Sequence, residues 1–294
     1  MPGPGPAAAP ARGPEVHRLT ARIVIRRLTA IAAVGAAAAG VVTSQAAAAE
    51  PVRAWNGVLV RSLDPAPVPG AAAAPAPAPV SRRDQRLSDE RTYTRWAFIA
   101  APAYIYGGGS LRARRVGRLR WYTEDGFPEV YVLLRSHTDA HGQQWIQLRV
   151  PGRPNGLTGW VRREALGNFN LTRYLVVVDR HRLRMTVYEG GRKRWSAPVG
   201  VGKAGTPTPA GRFWIRERFK ILSRGSGYWP YAFGTAAYSS LTEWPGGGVV
   251  GIHGPYHEPG AIPGRPSHGC IRLRTWDDAW LARHVGLGTP LRVV

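Results

Sequence analysis

Tyr174-Leu175-Val176-Val177-Val178-Asp179 is an apolar run closed by an acid, and Leu183-Arg184-Met185-Thr186-Val187-Tyr188 alternates apolar and polar with period two. The first suits a strand buried on both faces, the second a strand with one wet face. Asp179 to Arg182 joins them as a tight hairpin. Glu189-Gly190-Gly191 makes the next turn, and Trp195 to Val201 and Phe213 to Arg218 supply further strands. The region is therefore expected to be all-β, with Pro290-Leu291-Arg292-Val293-Val294 as its closing strand. One short helix is expected near the end. Thr275-Trp276-Asp277-Asp278 has the form of a capping box, Trp276 and Trp280 share a face beside Leu281, and Gly286 suits the position past the helix end.

Upstream, from about Thr94, the runs Trp96-Ala97-Phe98-Ile99, Glu129 to Leu134 and Trp145 to Val150 are short and β-rich, with Gly, Pro, Asp and Asn turns between them. That is the pattern of a small barrel or sandwich. Before it, Asp64 to Val80 is almost entirely Pro, Ala and Gly, a semi-rigid polyproline II spacer that Ser81 to Arg91 continues. At ~3.1 Å per residue the Pro/Ala tract reaches about 45 Å. At the start of the chain, Arg18, Arg22, Arg26 and Arg27 precede the apolar run Leu28 to Val42 and then Ala46 to Ala49. Basic, apolar, small is the order of a secretory signal cleaved near Ala49. The expected organisation is signal 1–49, linker 50–91, first folded domain 92–166 and second folded domain 172–294.

Composition narrows the function. A chain of 294 residues suits two domains. No apolar run reaches the ~18 residues of a spanning helix, which excludes a multi-span membrane protein. The single cysteine excludes an intrachain disulfide framework and a Cys-rich zinc module. The net charge of +22 favours polyanions. Nucleic acid is not the expected one: there is no zinc finger, basic zipper or aromatic–basic signature of an RNA-binding sheet. The arginines are scattered, as on solvated faces.

The chemistry is concentrated in Ile252-His253-Gly254 and Ser267-His268-Gly269-Cys270-Ile271-Arg272-Leu273. Cys270 has no partner cysteine and sits after Gly269, before the expected helix, among Arg and His. Such surroundings lower a thiol's pKa. A neighbouring His that takes the proton completes a nucleophile. His253, at the end of the apolar strand Val249 to Ile252, is one candidate, and His268 the other. A metal site of His253, His257, Glu258 and His268 would need a helix. Gly254, Pro255 and Pro259 oppose one, so no metal and no cofactor is expected.

Ser267-His268-Gly269-Cys270-Ile271-Arg272, with Ile252-His253-Gly254 upstream, resembles the signature of L,D-transpeptidases (the YkuD-type catalytic domain). Gly205-Thr206-Pro207-Thr208-Pro209-Ala210-Gly211-Arg212-Phe213 is similar to that family's Thr-Pro-x-Gly-x-Phe block. The resemblance covers about residues 172–294. Gly156-Leu157-Thr158-Gly159-Trp160-Val161 and Val116-Gly117-Arg118-Leu119 resemble a bacterial SH3-like domain over 92–166. Together these imply a mainly β chain: an N-terminal SH3-like barrel, then a YkuD-type β-sandwich with a short helix after the catalytic cysteine.

The resemblance further implies that Cys270 attacks the carbonyl of a diamino-acid residue in a peptidoglycan stem tetrapeptide. D-Alanine leaves, a thioester remains, and the amine of a second stem closes a 3→3 cross-link. His253 is the base and later the acid, with its tautomer fixed by a backbone carbonyl near Gly254. The amides of Gly269 and Cys270 face the oxyanion. Ser267, His268 and Arg272 shape the pocket, and Arg272 either holds a substrate carboxylate or forms a structural ion pair. An L,D-carboxypeptidase would use the same residues with water, and a non-enzymatic wall-binding protein is the third reading. The implied partners are peptidoglycan stem peptides and anionic wall polymers. The implied location is the cell envelope, with membrane contact only through the N-terminal signal. The aromatic stretch Gly225 to Gly248 reads as a lid or a hydrophobic cover.

Overall fold

The computed structural model describes residues 51–65 and 84–294. The signal-like segment 1–49 and most of the Pro/Ala tract lie outside the described residues. Val52–Trp55 (β1) and Val58–Ser62 (β2) pair antiparallel around Asn56 and Gly57, whose φ angles are 45° and 76°. Asn-Gly is the dipeptide that best accepts this geometry in a two-residue hairpin. β2 then pairs with a strand of the second region, Lys220↔Arg61 and Ile221↔Val60, and Val60 is fully buried beside Phe127 and Phe219. The expected linker 50–91 thus begins with a hairpin built into a sheet. The Pro/Ala tract behind it conceals the short apolar run Val58-Leu59-Val60.

The first region has the short strands β3 (Gln85–Arg86), β4 (Thr94–Ala97), β5 (Tyr104–Tyr106), β6 (Arg115–Arg118), β7 (Tyr131–Thr138), β8 (Gln144–Arg149) and β9 (Thr158–Arg162). β10 (Asn170–Thr172) returns to pair with β4, giving the order β10-β4-β7-β8-β9-β5-β6, with β3 also on β7. Ala97, Ile105, Leu133, Ile146, Leu148 and Val161 are buried in one cluster of their own. Each buried Val, Leu or Ile among them contributes about 1.5–3 kcal/mol, which is what holds strands this short together.

The second region contains β11 (Tyr174–Asp179), β12 (Arg184–Glu189), β13 (Arg192–Pro198), β14 (Gly200–Gly202), β15 (Gly211–Ile221), β16 (Tyr231–Tyr238), β17 (Val249–His253), β18 (Gly264–Ser267), β19 (Ile271–Arg272) and β20 (Pro290–Val293). Their order is β13-β12-β11-β20-β15-β16-β17-β19-β14-β18. β13 and β14 stand near opposite ends of this path, yet Val199 alone joins them. The sheet must therefore curl back on itself, and the expected sandwich is one continuous curled sheet. Met185 and Val187 of β12 are buried as the period-two pattern requires.

The helix α1 (Thr275–His284) begins one residue earlier than expected: Thr275 is inside it, Arg274 is the cap, and no side chain caps it. Asp278 is instead buried, and its Oδ2 accepts the Tyr231 N–H over 2.9 Å, tying the helix to β16. Trp280 stacks on Trp195 at 4.6 Å while Trp276 is exposed, so the two do not share one packed face. No helix among the described residues is long and apolar enough to cross a membrane. The two regions meet along a charged seam. Buried Arg216 of β15 donates to Glu129 Oε1 at 2.8 Å and to Glu124 Oε2 at 2.9 Å, and Trp214 Nε1 donates to the Val130 carbonyl at 2.7 Å.

Candidate active site

Three adjacent strands make the floor. Glu217, Gly234 and Gly251 form one cross-strand row over β15, β16 and β17, and Phe219, Ala232 and His253 form the next. Directly paired residues present their side chains to the same face of a sheet. Glu217, His253 and the empty positions of the two glycines therefore share a face. β19 runs parallel to β17, Ile252 beside Ile271, and this places Cys270 over Gly251. The Gly251 N–H donates to Cys270 Sγ at 3.4 Å. A Cβ on Gly251 would lie 3.9 Å from both Cys270 Sγ and His253 Cδ2, so thiol and imidazole adjoin one small space.

His253 is buried, and its Nδ1 lies 2.8 Å from the Gly254 carbonyl oxygen. A carbonyl only accepts, so Nδ1 carries the hydrogen and Nε2 keeps its lone pair. Gly254 is required there, because a Cβ would collide with the Trp229 carbonyl. Burial pulls the imidazole down to about 4 and nearby Arg272 adds to this, against the Gly254 hydrogen bond. Burial also pushes the Cys270 thiol up, against the lowering effect of the Gly251 N–H and Arg272. This corrects the expectation of a lowered thiol pKa: the helix starts only at Thr275, after β19, and desolvation outweighs the surrounding positive charge.

A hydrogen-bonded turn carries the cysteine. Ser267 Oγ donates to the Cys270 carbonyl at 2.6 Å and accepts the Gly269 N–H at 3.1 Å. Gly269 has φ 130°, a region few side chains tolerate. Its carbonyl accepts from Thr208 Oγ1 at 2.8 Å, and that hydroxyl accepts the Gly202 N–H at 2.9 Å. The Gly269 amide is thus already engaged. The Cys270 amide is the other expected oxyanion donor.

The remaining expected site residues separate. His268 is exposed, its Nε2 3.0 Å from Lys203 Nζ and its ring stacked on Trp244. Arg272 pairs with Glu258 at 2.8 Å and lies over the Tyr256 ring, the ion pair of its two readings. The aromatic stretch 225–248 is neither lid nor cover as a whole, since β16 runs through its middle. Phe233 and Gly234 of β16 line the cavity beside Cys270, as do Tyr228 and Trp244 from its flanks, and Tyr228 stands edge-on to His253 at 5.0 Å. No group of three metal-ligating side chains occurs among the described residues.

Sequence reasoning missed Glu217, Asp125 and the bracing role of Thr208. Glu217, Asp125, Trp55, Gly234, His253 and Cys270 all line one cavity of about 40 Å³. The available signal was glycine inside β16 and β17, which marks close approach of another group. Which residue approaches depends on strand register.

Residues 173–293 match the family model of the L,D-transpeptidase catalytic domain, YkuD. No curated protein matches the chain. Among solved structures, an Enterococcus faecium L,D-transpeptidase mutant is 25% identical, over 41% of this chain and 49% of that one, with TM-score 0.32. A Bdellovibrio bacteriovorus protein, Bd1075, is 29% identical over 42% and 48%, also with TM-score 0.32. An L,D-transpeptidase from Mycobacterium tuberculosis H37Rv is 15% identical over 67% and 98%, with TM-score 0.37. The chain spans about half the length of the first two.

Proposed function

We propose that residues 172–294 act as a cysteine-dependent L,D-transpeptidase on peptidoglycan stem peptides outside the cytoplasmic membrane. The observation that carries this reading is the space above Gly251, bordered by Cys270 Sγ and by a His253 ring whose Nδ1 is held by the Gly254 carbonyl. With Nδ1 so occupied, Nε2 takes the thiol proton as Sγ attacks the carbonyl of the stem tetrapeptide's diamino-acid residue. The Cys270 amide faces the developing oxyanion. Collapse breaks the C–N bond to D-alanine, whose nitrogen receives the proton from His253, and a thioester remains. The side-chain amine of a second stem attacks that thioester. Its proton passes through His253 to the departing sulfur, and a 3→3 cross-link results. A backbone carbonyl thus does for His253 what a carboxylate does in a Ser-His-Asp triad. The match of residues 173–293 to the catalytic-domain family supports the reaction class.

The proposal extends to the rest of the chain. Residues 1–49 direct export. Residues 92–166 act as an SH3-like wall-binding domain, and the excess of arginine attracts anionic wall polymers. Muropeptide analysis tests the reading. Tetrapeptide muropeptides incubated with the protein should yield 3→3 dimers. Tripeptides alone would make the protein an L,D-carboxypeptidase, and unchanged muropeptides would leave a wall-binding protein.

A further inference from the structure

We infer that Glu217, with Asp125, forms a subsite for the primary ammonium group of the acceptor, one strand away from Cys270. This deepens the transpeptidase reading above and rests on it. The register row carries the placement. Glu217 pairs with Gly234, and Gly234 with Gly251. The Glu217 carboxylate fills the space a Gly234 side chain would need, because a Cβ there would collide with Oε2. It therefore lies about 4.8 Å, one strand spacing, from the space above Gly251 that adjoins Cys270 Sγ.

Glu217 is only 4% exposed, and its Oε2 has no hydrogen-bond partner among the described residues. Buried acceptors are ordinarily satisfied, so this oxygen lacks a donor. Asp125, from the loop between β6 and β7, stands against Glu217 and Trp55 and reaches within 3.5 Å of the Cβ position of Gly246. Arg216 lies near enough to lower both carboxyls, but its guanidinium hydrogen bonds go to Glu129 and Glu124.

The chemistry of the missing group follows. It has hydrogens to donate and positive charge, and it fits a cavity of about 40 Å³ shared with Cys270 and His253. An ordered water needs ~10–15 Å³ on the same measure, and an ammonium is of similar size. The carboxylate of departing D-alanine would be repelled, which assigns the subsite to the acceptor. The acceptor must also shed a proton before it attacks. Burial, with repulsion from Asp125, pushes Glu217 up to about 8, so it is ionised and able to take that proton from about that pH upward. Glu217 takes one proton and later returns it to water. The freed lone pair forms the C–N bond as C–S breaks, and the amine's second proton reaches the sulfur through His253.

The test compares two nucleophiles on the acyl-enzyme formed from a tetrapeptide donor at about pH 9, where Glu217 is ionised: a primary alkylamine, which is still largely cationic, and methoxyamine, which is not. The amine-to-methoxyamine ratio of kcat/KM should fall at least about tenfold in Glu217→Gln, the loss of one charge-assisted contact. Asp125→Asn should shift it the same way by less. Intact mass showing an adduct on Cys270 certifies that each variant is assembled. A ratio unchanged in Glu217→Gln overturns the subsite while leaving thioester chemistry standing. So does a wild type that acylates but transfers to neither nucleophile. A wild type that never acylates removes the transpeptidase reading and the subsite with it.

Discussion

The Gly251 N–H points at Cys270 Sγ across 3.4 Å. The strand that ends in His253 thus also holds the thiol, through a residue whose missing side chain leaves room for a reacting carbonyl. Gly251 has ordinary backbone geometry, and an added Cβ would meet sulfur and imidazole only at van der Waals distance, 3.9 Å. Gly251→Ala should therefore fold with stability within about 1 kcal/mol of wild type, measured by urea unfolding. Acylation of Cys270 should nonetheless slow by at least about tenfold, as the space is filled. Acylation at the wild-type rate would show that the substrate carbonyl does not sit there.

Desolvation holds the half-buried thiol above its ordinary pKa, and His253 is neutral down to about 4. Alkylation by iodoacetamide should be slow at pH 7 and rise steadily into the alkaline range. A reactive plateau extending below neutral pH would instead reveal a preformed thiolate–imidazolium pair.

Much of the fold was legible in sequence because its signals are local. The period-two run of β12 and the Asp179 to Arg182 turn need no knowledge of distant partners, and His253 and Cys270 stand out because their residue types and spacing are specific. What escaped depends on register. Glu217 lies in an 11-residue strand with no pattern to distinguish it, and it joins the site only because Gly234 and Gly251 align beside it. Asp125 arrives from the other region. The hairpin of β1 and β2 was hidden by the Pro/Ala tract that follows it. The thiol pKa was misjudged because nearby charge is visible in sequence and desolvation is not.

Stability should report both buried titratable groups with opposite signs. His253 has a folded pKa of about 4 against about 6.5 when unfolded, so the unfolded chain binds the proton first as pH falls. Its contribution is complete above about 6.5 and declines toward pH 4, by about 3 kcal/mol in total. His253→Gln should flatten that acid limb in urea titrations. Glu217 has a folded pKa raised to about 8, so its contribution is present below its unfolded value of about 4.5 and is lost as pH rises toward 8. Glu217→Gln should gain on wild type steadily across that window. A constant difference for either variant would contradict the assigned shift.

Thr208 braces the cysteine turn from the neighbouring loop and is 1% exposed. Thr208→Val leaves the Gly202 N–H and the Gly269 carbonyl unpaired. It should cost about 2–6 kcal/mol of unfolding free energy, at about 1–3 kcal/mol per buried unsatisfied group. Thr208→Ser keeps the hydroxyl and should cost about 1 kcal/mol, for the lost methyl. Equal losses in the two variants would mean that the methyl matters and the hydrogen bonds do not.

The most direct measurement is the intact mass of the protein incubated with a carbapenem, which presents a strained carbonyl where the stem peptide's would lie. Wild type should gain one covalent adduct per chain. Cys270→Ala should gain none, His253→Ala should gain it far more slowly, and His268→Ala should behave nearly as wild type. An adduct that persists in Cys270→Ala, or one abolished by a metal chelator, would contradict covalent catalysis by Cys270 with His253 as its base.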